Sequence, residues 1–344
     1  MLTEFFNNYI ANPNYLMNIT LEITSSCNLK CCHCYVEDRL SKHFGVRQLN
    51  VNTIKKIINQ AKSLNAVTVT LTGGEPMLHS GFVDIIKLVK KVGFIVFLKT
   101  NGTLINSDNI EILKKYVDKV TLSRYGFSRM TYETVTGVNG SYDKYCRAIK
   151  LLEQFSVPYE ENIILLKENE SEIDDFISSG YKIEKYISIH KENPYAAKHR
   201  PSDSALYKYY YNLLNHSQMD FPDFFADEGN CNNRAVCNCG TCSLTINANG
   251  EINPCTNFDF TFGNVKNTTI KSAWNSPTKK EIMDYCKVSS FCKCLHCEKN
   301  RYLLSIAPCN NYSETGNVND VSSEMCRHCH IVEKVNYDIE SRYM

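Results

Sequence analysis

The sequence predicts an α/β fold: about six β/α units with parallel strands, followed by a smaller cysteine-rich region. Three observations carry this. From Asn18 onward, short β-branched runs alternate with segments whose apolar residues recur at helical spacing. Four successive strand-like runs close on polar or glycine turns, at Cys27–Cys34, Glu75, Asn101 and Ser123. Twelve of the 17 cysteines fall between Cys231 and Cys329, where helical periodicity weakens. At 344 residues the chain exceeds one average domain. The expected organisation is a short N-terminal segment (1–17), a β/α body (18–220) and a C-terminal cysteine-rich domain (221–344).

The elements follow in order. Phe5, Phe6, Tyr9, Tyr15 and Leu16 form a lid or an edge helix. Asn18 to Thr24 alternates as a strand and runs into the cysteine loop. Ile54, Ile57, Ile58, Ala61 and Leu64 place a helix over 51–64. Val67 to Thr72 is a strand ending in Gly73-Gly74-Glu75-Pro76, where paired glycines permit a close backbone approach or positive φ. A helix at 82–91 and a strand at 94–99 lead to Thr100-Asn101-Gly102. A helix at 110–116 and a strand from Lys119 end at Ser123-Arg124-Tyr125-Gly126. Further on come a helix (142–155), a strand (158–166), a short helix (172–177), a strand (183–189) and a tyrosine-rich helix (203–216). In β/α barrels the C-terminal strand ends carry the active site, so the four polar ends point to one mouth.

The formal charge of +1 gives no sign of a nucleic-acid surface, and no 18-residue apolar run or secretory signal is present. No nucleic acid and no membrane are expected as partners. So many cysteines without a secretory signal imply metal or redox chemistry in a reducing cytoplasm. Cys27, Cys31 and Cys34 form a CxxxCxxC group, and three thiolates on one loop can hold one face of an iron–sulfur cube with its fourth iron open. Cys31 to Cys34 can also be drawn as half of a zinc knuckle, and His328 between Cys326 and Cys329 keeps that alternative open farther along.

Together, Cys27, Cys31 and Cys34, the Gly73-Gly74-Glu75-Pro76 turn, the Thr100-Asn101-Gly102 turn and the Ser123 strand end resemble the radical S-adenosylmethionine (radical SAM) superfamily, over about residues 18–200. The resemblance implies a partial (β/α)6 TIM-like barrel. In it Cys27, Cys31 and Cys34 hold a [4Fe–4S] cluster whose open iron chelates SAM, with Cys32 a bystander. It further implies SAM contacts from Gly73, Gly74, Glu75, Asn101 and Ser123, and cleavage of SAM to methionine and a 5′-deoxyadenosyl radical. Arg124 departs from the family pattern, which has an apolar residue after the serine; it is either a SAM-carboxylate contact or a surface substitution. The C-terminal region resembles the SPASM extension, which holds one or two auxiliary [4Fe–4S] clusters. By that resemblance Cys231, Cys237, Cys255 and Cys309 ligate the first, and Cys294, Cys297, Cys326 and Cys329 the second. Ser305 stands where the pattern expects a cysteine, and Cys239 and Cys242 offer a shifted register.

Of the other cysteines, Cys146 reads as a small buried hydrophobe, and a spare thiol could donate a hydrogen atom. His33 reads as packing beside the cluster. The function implied is modification of a ribosomally made precursor peptide by cross-link, thioether, epimerisation or oxidation. Its partners are an electron donor such as flavodoxin or ferredoxin and a separate leader-recognition protein. The alternatives are an enzyme acting on a small-molecule cofactor precursor or a folded protein, of sulfatase-maturase type, and a zinc-stabilised scaffold without catalysis.

Overall fold

In the computed structural model the described residues are 15–34, 36, 46–180, 182–184, 194–216, 237, 240–258, 260–287, 297–299, 302 and 308–342. Strands β1 (Asn18–Thr24), β2 (Thr68–Gly73), β3 (Ile95–Thr100), β4 (Lys119–Arg124), β5 (Tyr159–Ile164) and β6 (Lys182–Glu184) pair in parallel in chain order. β7 (Ser243–Ile246) adds in parallel to the other edge of β1, and β8 (Ile252–Asn253) closes an antiparallel hairpin on β7. The eight-stranded order is β6-β5-β4-β3-β2-β1-β7-β8. The α/β class expected from the sequence holds, as an open, partial barrel of six parallel strands extended by a seventh.

The strands form because their β-branched and aliphatic residues are covered on both faces, as parallel sheets require. Ile19, Leu21 and Ile23 of β1, Val69 and Leu71 of β2, and Val120 and Leu122 of β4 are all fully buried. Helices α1 (Val51–Ser63), α2 (Phe82–Val92), α3 (Ile110–Tyr116) and α5 (Ser141–Gln154) lie close to their expected ranges. Asn50 caps α1 by accepting from Thr53 N at 2.8 Å, and Gly93 ends α2 at φ 90°.

One helix, α4 (Arg129–Thr136), was not among those expected. Its β-branched sequence is a poor helix former, but Ser128 caps it, Gly137 stops it at φ 64°, and Tyr132 and Val135 bury completely. Helix α6 (Ile173–Ser178) precedes β6, and α7 (Asp203–His216) spans the expected tyrosine-rich range. The expected strand over 183–189 begins as β6, and its residues 185–189 lie outside the described set, as do Phe5, Phe6 and Tyr9. Leu16 is fully buried in the main core.

The expected boundary near 220 also lies outside the described residues, but the chain beyond it does not stand apart. β7 takes the register Asn18↔Ser243 to Leu21↔Ile246 along β1. Beyond β8 come α8 (Ile270–Trp274), α9 (Pro277–Tyr285), α10 (Pro308–Thr315) and α11 (Ser323–Glu340). A second core joins Ile163, Phe176, Leu206 and Tyr210 to Val332 and Val335, so α11 packs on α7. Among the described residues, no helix is long and apolar enough to cross a membrane.

Candidate active site

The cysteine loop leaves β1 through a register shift between Glu22 and Thr24 and is held on both sides. On one side Gly74 N donates to Thr24 O at 2.8 Å and Glu75 N to Ser26 O at 2.7 Å. A Cβ on Gly73 would stand 2.2 Å from Thr24 O, and one on Gly74 2.4 Å from Ser26 O. The paired glycines therefore serve a close approach of backbone to the loop itself. On the other side Lys30 N donates to Thr136 O and Cys32 N to Val135 O, so the end of α4 grips the loop.

Cys27, Cys31 and Cys34 are close enough that the charge of each neighbouring thiolate opposes ionisation of Cys31. Burial is the main cause of the raised pKa at both Cys27 and Cys31. Two N–H groups aim at Cys27 Sγ: Leu29 N at 3.4 Å and Asn101 Nδ2 at 3.8 Å. Three converging soft donors, with N–H groups to stabilise sulfur charge, fit an iron–sulfur cluster with one open iron. Cys32 turns away. Its Sγ lies within 4.8 Å of ligand atoms of Glu168 and His199, and burial and the Glu168 charge push its thiol up to about 12.

Glu75 is fully buried. Its carboxylate accepts from Met77 N (3.0 Å), Thr100 Oγ1 (2.8 Å to each oxygen) and Asn101 N (3.0 Å), which ties the end of β2 to the end of β3. Burial outweighs these bonds and raises its pKa to about 7. Asn101 Oδ1 accepts from Thr103 N and Oγ1, and its Nδ2 donates to Asn28 Oδ1 at 3.0 Å. Thr100, named from the sequence only as part of its turn, thus belongs to the site together with Asn28 and Thr103, which lie beside the CxxxCxxC and Asn-Gly motifs but were not singled out.

Ser123 hydrogen-bonds Tyr125, whose hydroxyl in turn donates to Cys31. The Tyr125 ring packs 5.2 Å from that of His33. Tyr125, two residues past Ser123, is a further site residue that the sequence reading did not single out. Arg124 is not a surface substitution: its Nη2 pairs with Glu161 Oε1 at 2.8 Å, with side chains 11% and 1% exposed. Its guanidinium lies over Phe127 and Tyr145, and Tyr145 also donates to Glu161.

A second thiol group forms in the C-terminal region. Burial and the charges of Cys255 and Cys237 raise the Cys309 thiol, which places the three together despite Ser305. Cys231, Cys239 and Cys294 lie outside the described residues. Cys326 and Cys329 sit three apart on α11, and the Cys297 charge reaches Cys326, so two members of the expected second set are neighbours. His328 is not a zinc ligand here. Its Nδ1 meets Tyr210 Oη at 2.6 Å and its Nε2 meets Glu324 Oε1 at 3.1 Å, both deep in the core. Cys146 is half-buried, packing against the main core rather than lying within it, and Cys286 is buried in that core.

Residues 21–179 match the radical SAM superfamily, and residues 237–298 match SPASM, an iron–sulfur cluster-binding domain. The antilisterial bacteriocin subtilosin biosynthesis protein AlbA of Bacillus subtilis is 27% identical over 271 residues, covering 76% of this chain and 60% of AlbA. The GTP 3′,8-cyclase of Clostridium perfringens is 28% identical over 167 residues, covering 48% of this chain and 51% of the cyclase. The chain thus spans between half and two thirds of the length of these curated relatives. The solved structure of polyhistidine-tagged anSMEcpe with bound AdoMet has a TM-score of 0.70 at 17% identity and covers 94% of this chain and 93% of that one. Streptococcus suis SuiB bound to its precursor peptide SuiA has a TM-score of 0.60 at 17% identity, covering 91% and 76%. Both likenesses are of fold. A radical SAM domain implies a [4Fe–4S] cluster and SAM, and a SPASM domain implies auxiliary iron–sulfur clusters. On the clamped three-cysteine loop, the parallel strands around it and these two matches, the chain carries a radical SAM domain over residues 21–179 and a SPASM domain over residues 237–298.

Proposed function

We propose that this chain is a radical SAM/SPASM enzyme that modifies a ribosomally synthesised precursor peptide in the cytoplasm. The carrying observation is the convergence of Cys27, Cys31 and Cys34 on a loop held by the Gly73-Gly74 turn, with a second thiol group at Cys237, Cys255 and Cys309. The bound cluster and SAM supply a one-electron cleavage that yields methionine and a 5′-deoxyadenosyl radical able to take a hydrogen atom from substrate.

The chain's own residues bind and orient. Cys27, Cys31 and Cys34 hold the cluster, and the N–H donors of Leu29 and Asn101 stabilise charge on Cys27. Gly73, Gly74, Asn101 and Ser123 frame the SAM side of the mouth. Glu75, with both oxygens engaged, acts by fixing the Thr100-Asn101 turn against the loop. Arg124 holds β4 to β5 through Glu161. The barrel runs over 18–220 and the SPASM extension over 221–344. Within that extension Cys231, Cys237, Cys255 and Cys309 hold one auxiliary cluster, and Cys294, Cys297, Cys326 and Cys329 the other. The electron donor is a flavodoxin or ferredoxin, and a separate protein recognises the leader.

The peptide reading is favoured over a small-molecule one by the extent of the matches. AlbA, named for subtilosin biosynthesis, aligns over 76% of the chain, whereas the GTP 3′,8-cyclase aligns over 48%. Anaerobically reconstituted protein given SAM and a reductant should release 5′-deoxyadenosine, and Cys27→Ala, Cys31→Ala and Cys34→Ala should each abolish it. Co-expression with a short precursor peptide should change the peptide's mass. If 5′-deoxyadenosine forms but only nucleotide or tetrapyrrole substrates are turned over, the small-molecule alternative replaces this reading.

A further inference from the structure

Beside the three-thiol group, Cys32, Glu168 and His199 bring a sulfur, a carboxylate oxygen and a ring nitrogen within 4.8 Å of one another. They come from three separate stretches: the loop after β1, the turn after β5 and the turn before α7. Lys167 N donates to His199 O at 2.9 Å, which binds the last two stretches together. The cluster sits at the C-terminal ends of the strands, on the same mouth as Cys27, Cys31 and Cys34.

A simpler account makes this an ion pair pinning two turns, since His199 Nδ1 meets Glu168 Oε1 at 2.5 Å. That account leaves Glu168 Oε2 buried without a hydrogen-bond partner. One cation would satisfy the thiolate, the orphaned oxygen and the imidazole at once. A sulfur, a nitrogen and an oxygen form a borderline-soft set that suits Zn2+ and does not suit Mg2+ or Ca2+.

We propose that Cys32 Sγ, Glu168 and His199 form a mononuclear Zn2+ site with a fourth position open to water or to an anionic side chain of the substrate. Binding displaces the Cys32 thiol proton, and no change of oxidation state is involved. Three protein ligands with one open position is the arrangement of a zinc centre that exchanges ligands. The site is separate from the cluster reading, and its test does not depend on SAM cleavage.

The test uses the protein reconstituted with iron and sulfide, then exposed to Zn2+ and desalted against a weak chelator. Zinc, iron and sulfide are counted per chain, and the zinc X-ray absorption edge is recorded. The expected result is about one zinc per chain, with one sulfur near 2.3 Å and the remaining ligands nitrogen or oxygen near 2.0–2.2 Å. Cys32→Ala, Glu168→Gln and His199→Phe should each lower zinc about tenfold under chelator competition while iron and sulfide stay at the wild-type level. A wild-type zinc shell with two or more sulfurs would place the metal on cluster cysteines and overturn the proposal. So would the absence of zinc from the wild type, or equal zinc in all three variants. Should a variant also lose iron, the wild-type absorption edge decides by itself.

Discussion

Glu75 sits fully buried with three donors pointed at it, which makes it the most exacting single position near the loop. Glu75→Ala strands the Met77 and Asn101 N–H groups and the Thr100 hydroxyl, and should cost about 3 kcal/mol or more in urea unfolding of the reconstituted protein. The pH dependence has a definite sign. Burial raises its pKa from 4.5 to about 7, so the folded state holds a proton that the unfolded state releases between those values. Stability from this group is full below pH 4.5 and falls as the pH climbs through about 7, by about 3 kcal/mol at most. Urea midpoints taken at about pH 5.5 and about pH 8 should therefore fall for wild type, and fall less for Glu75→Gln. An equal fall in both proteins would assign the slope to other groups.

Among the elements, the cysteine loop and the β2 turn behave as one unit because backbone meets backbone there. Gly74→Ala sets a Cβ 2.4 Å from Ser26 O, a carbonyl with no soft side chain to give way. We expect a loss of about 1–3 kcal/mol and iron incorporation well below the wild-type level, read by colorimetric iron and sulfide assays. Gly140→Ala is the control: unlike Gly74 it has positive φ, 77°, but no atom lies within 4 Å of the added Cβ, so it should cost about 1–2 kcal/mol and leave the iron content unchanged. Helix α4, which grips the loop from the other side, was legible only through its caps, Ser128 and Gly137. Its interior residues Thr131, Thr134, Val135 and Thr136 read as strand formers, and burial of Tyr132 and Val135 against the body overrides that preference.

Across the whole molecule the C-terminal region is welded to the barrel at several places, β7 and α11 among them. β7 covers the edge of β1, and removal of the chain from residue 237 onward should expose the paired edge Asn18–Leu21 and produce aggregation on size exclusion. Another weld is α11 on α7, with Arg200 bridging Glu314 at 2.7 Å and Glu324 at 3.0 Å, all three side chains under 20% exposed. Arg200→Met leaves two buried carboxylates without that cation and should cost about 3 kcal/mol. Hydrogen exchange should then quicken in α11 while α1 to α3 keep their protection. β7, whose four residues look in sequence like any short strand, lays the cysteine-rich region along the edge of β1.

The sequence by itself determined what is written in local periodicity and spacing. The β/α alternation, the polar strand ends at Glu75, Asn101 and Ser123, and the Cys27-Cys31-Cys34 motif are each set within a few residues, and alternation puts those ends in phase on one mouth. Tertiary structure decided the pairings that no local pattern encodes. Arg124 found Glu161 across β4 and β5, Glu75 found Thr100 and Asn101 rather than open space, Cys32 turned toward Glu168 and His199, and β7 joined β1. In each case the partners lie 25 or more residues apart, and which side chain meets a buried charge or an open strand edge is fixed only when the chain has closed around it.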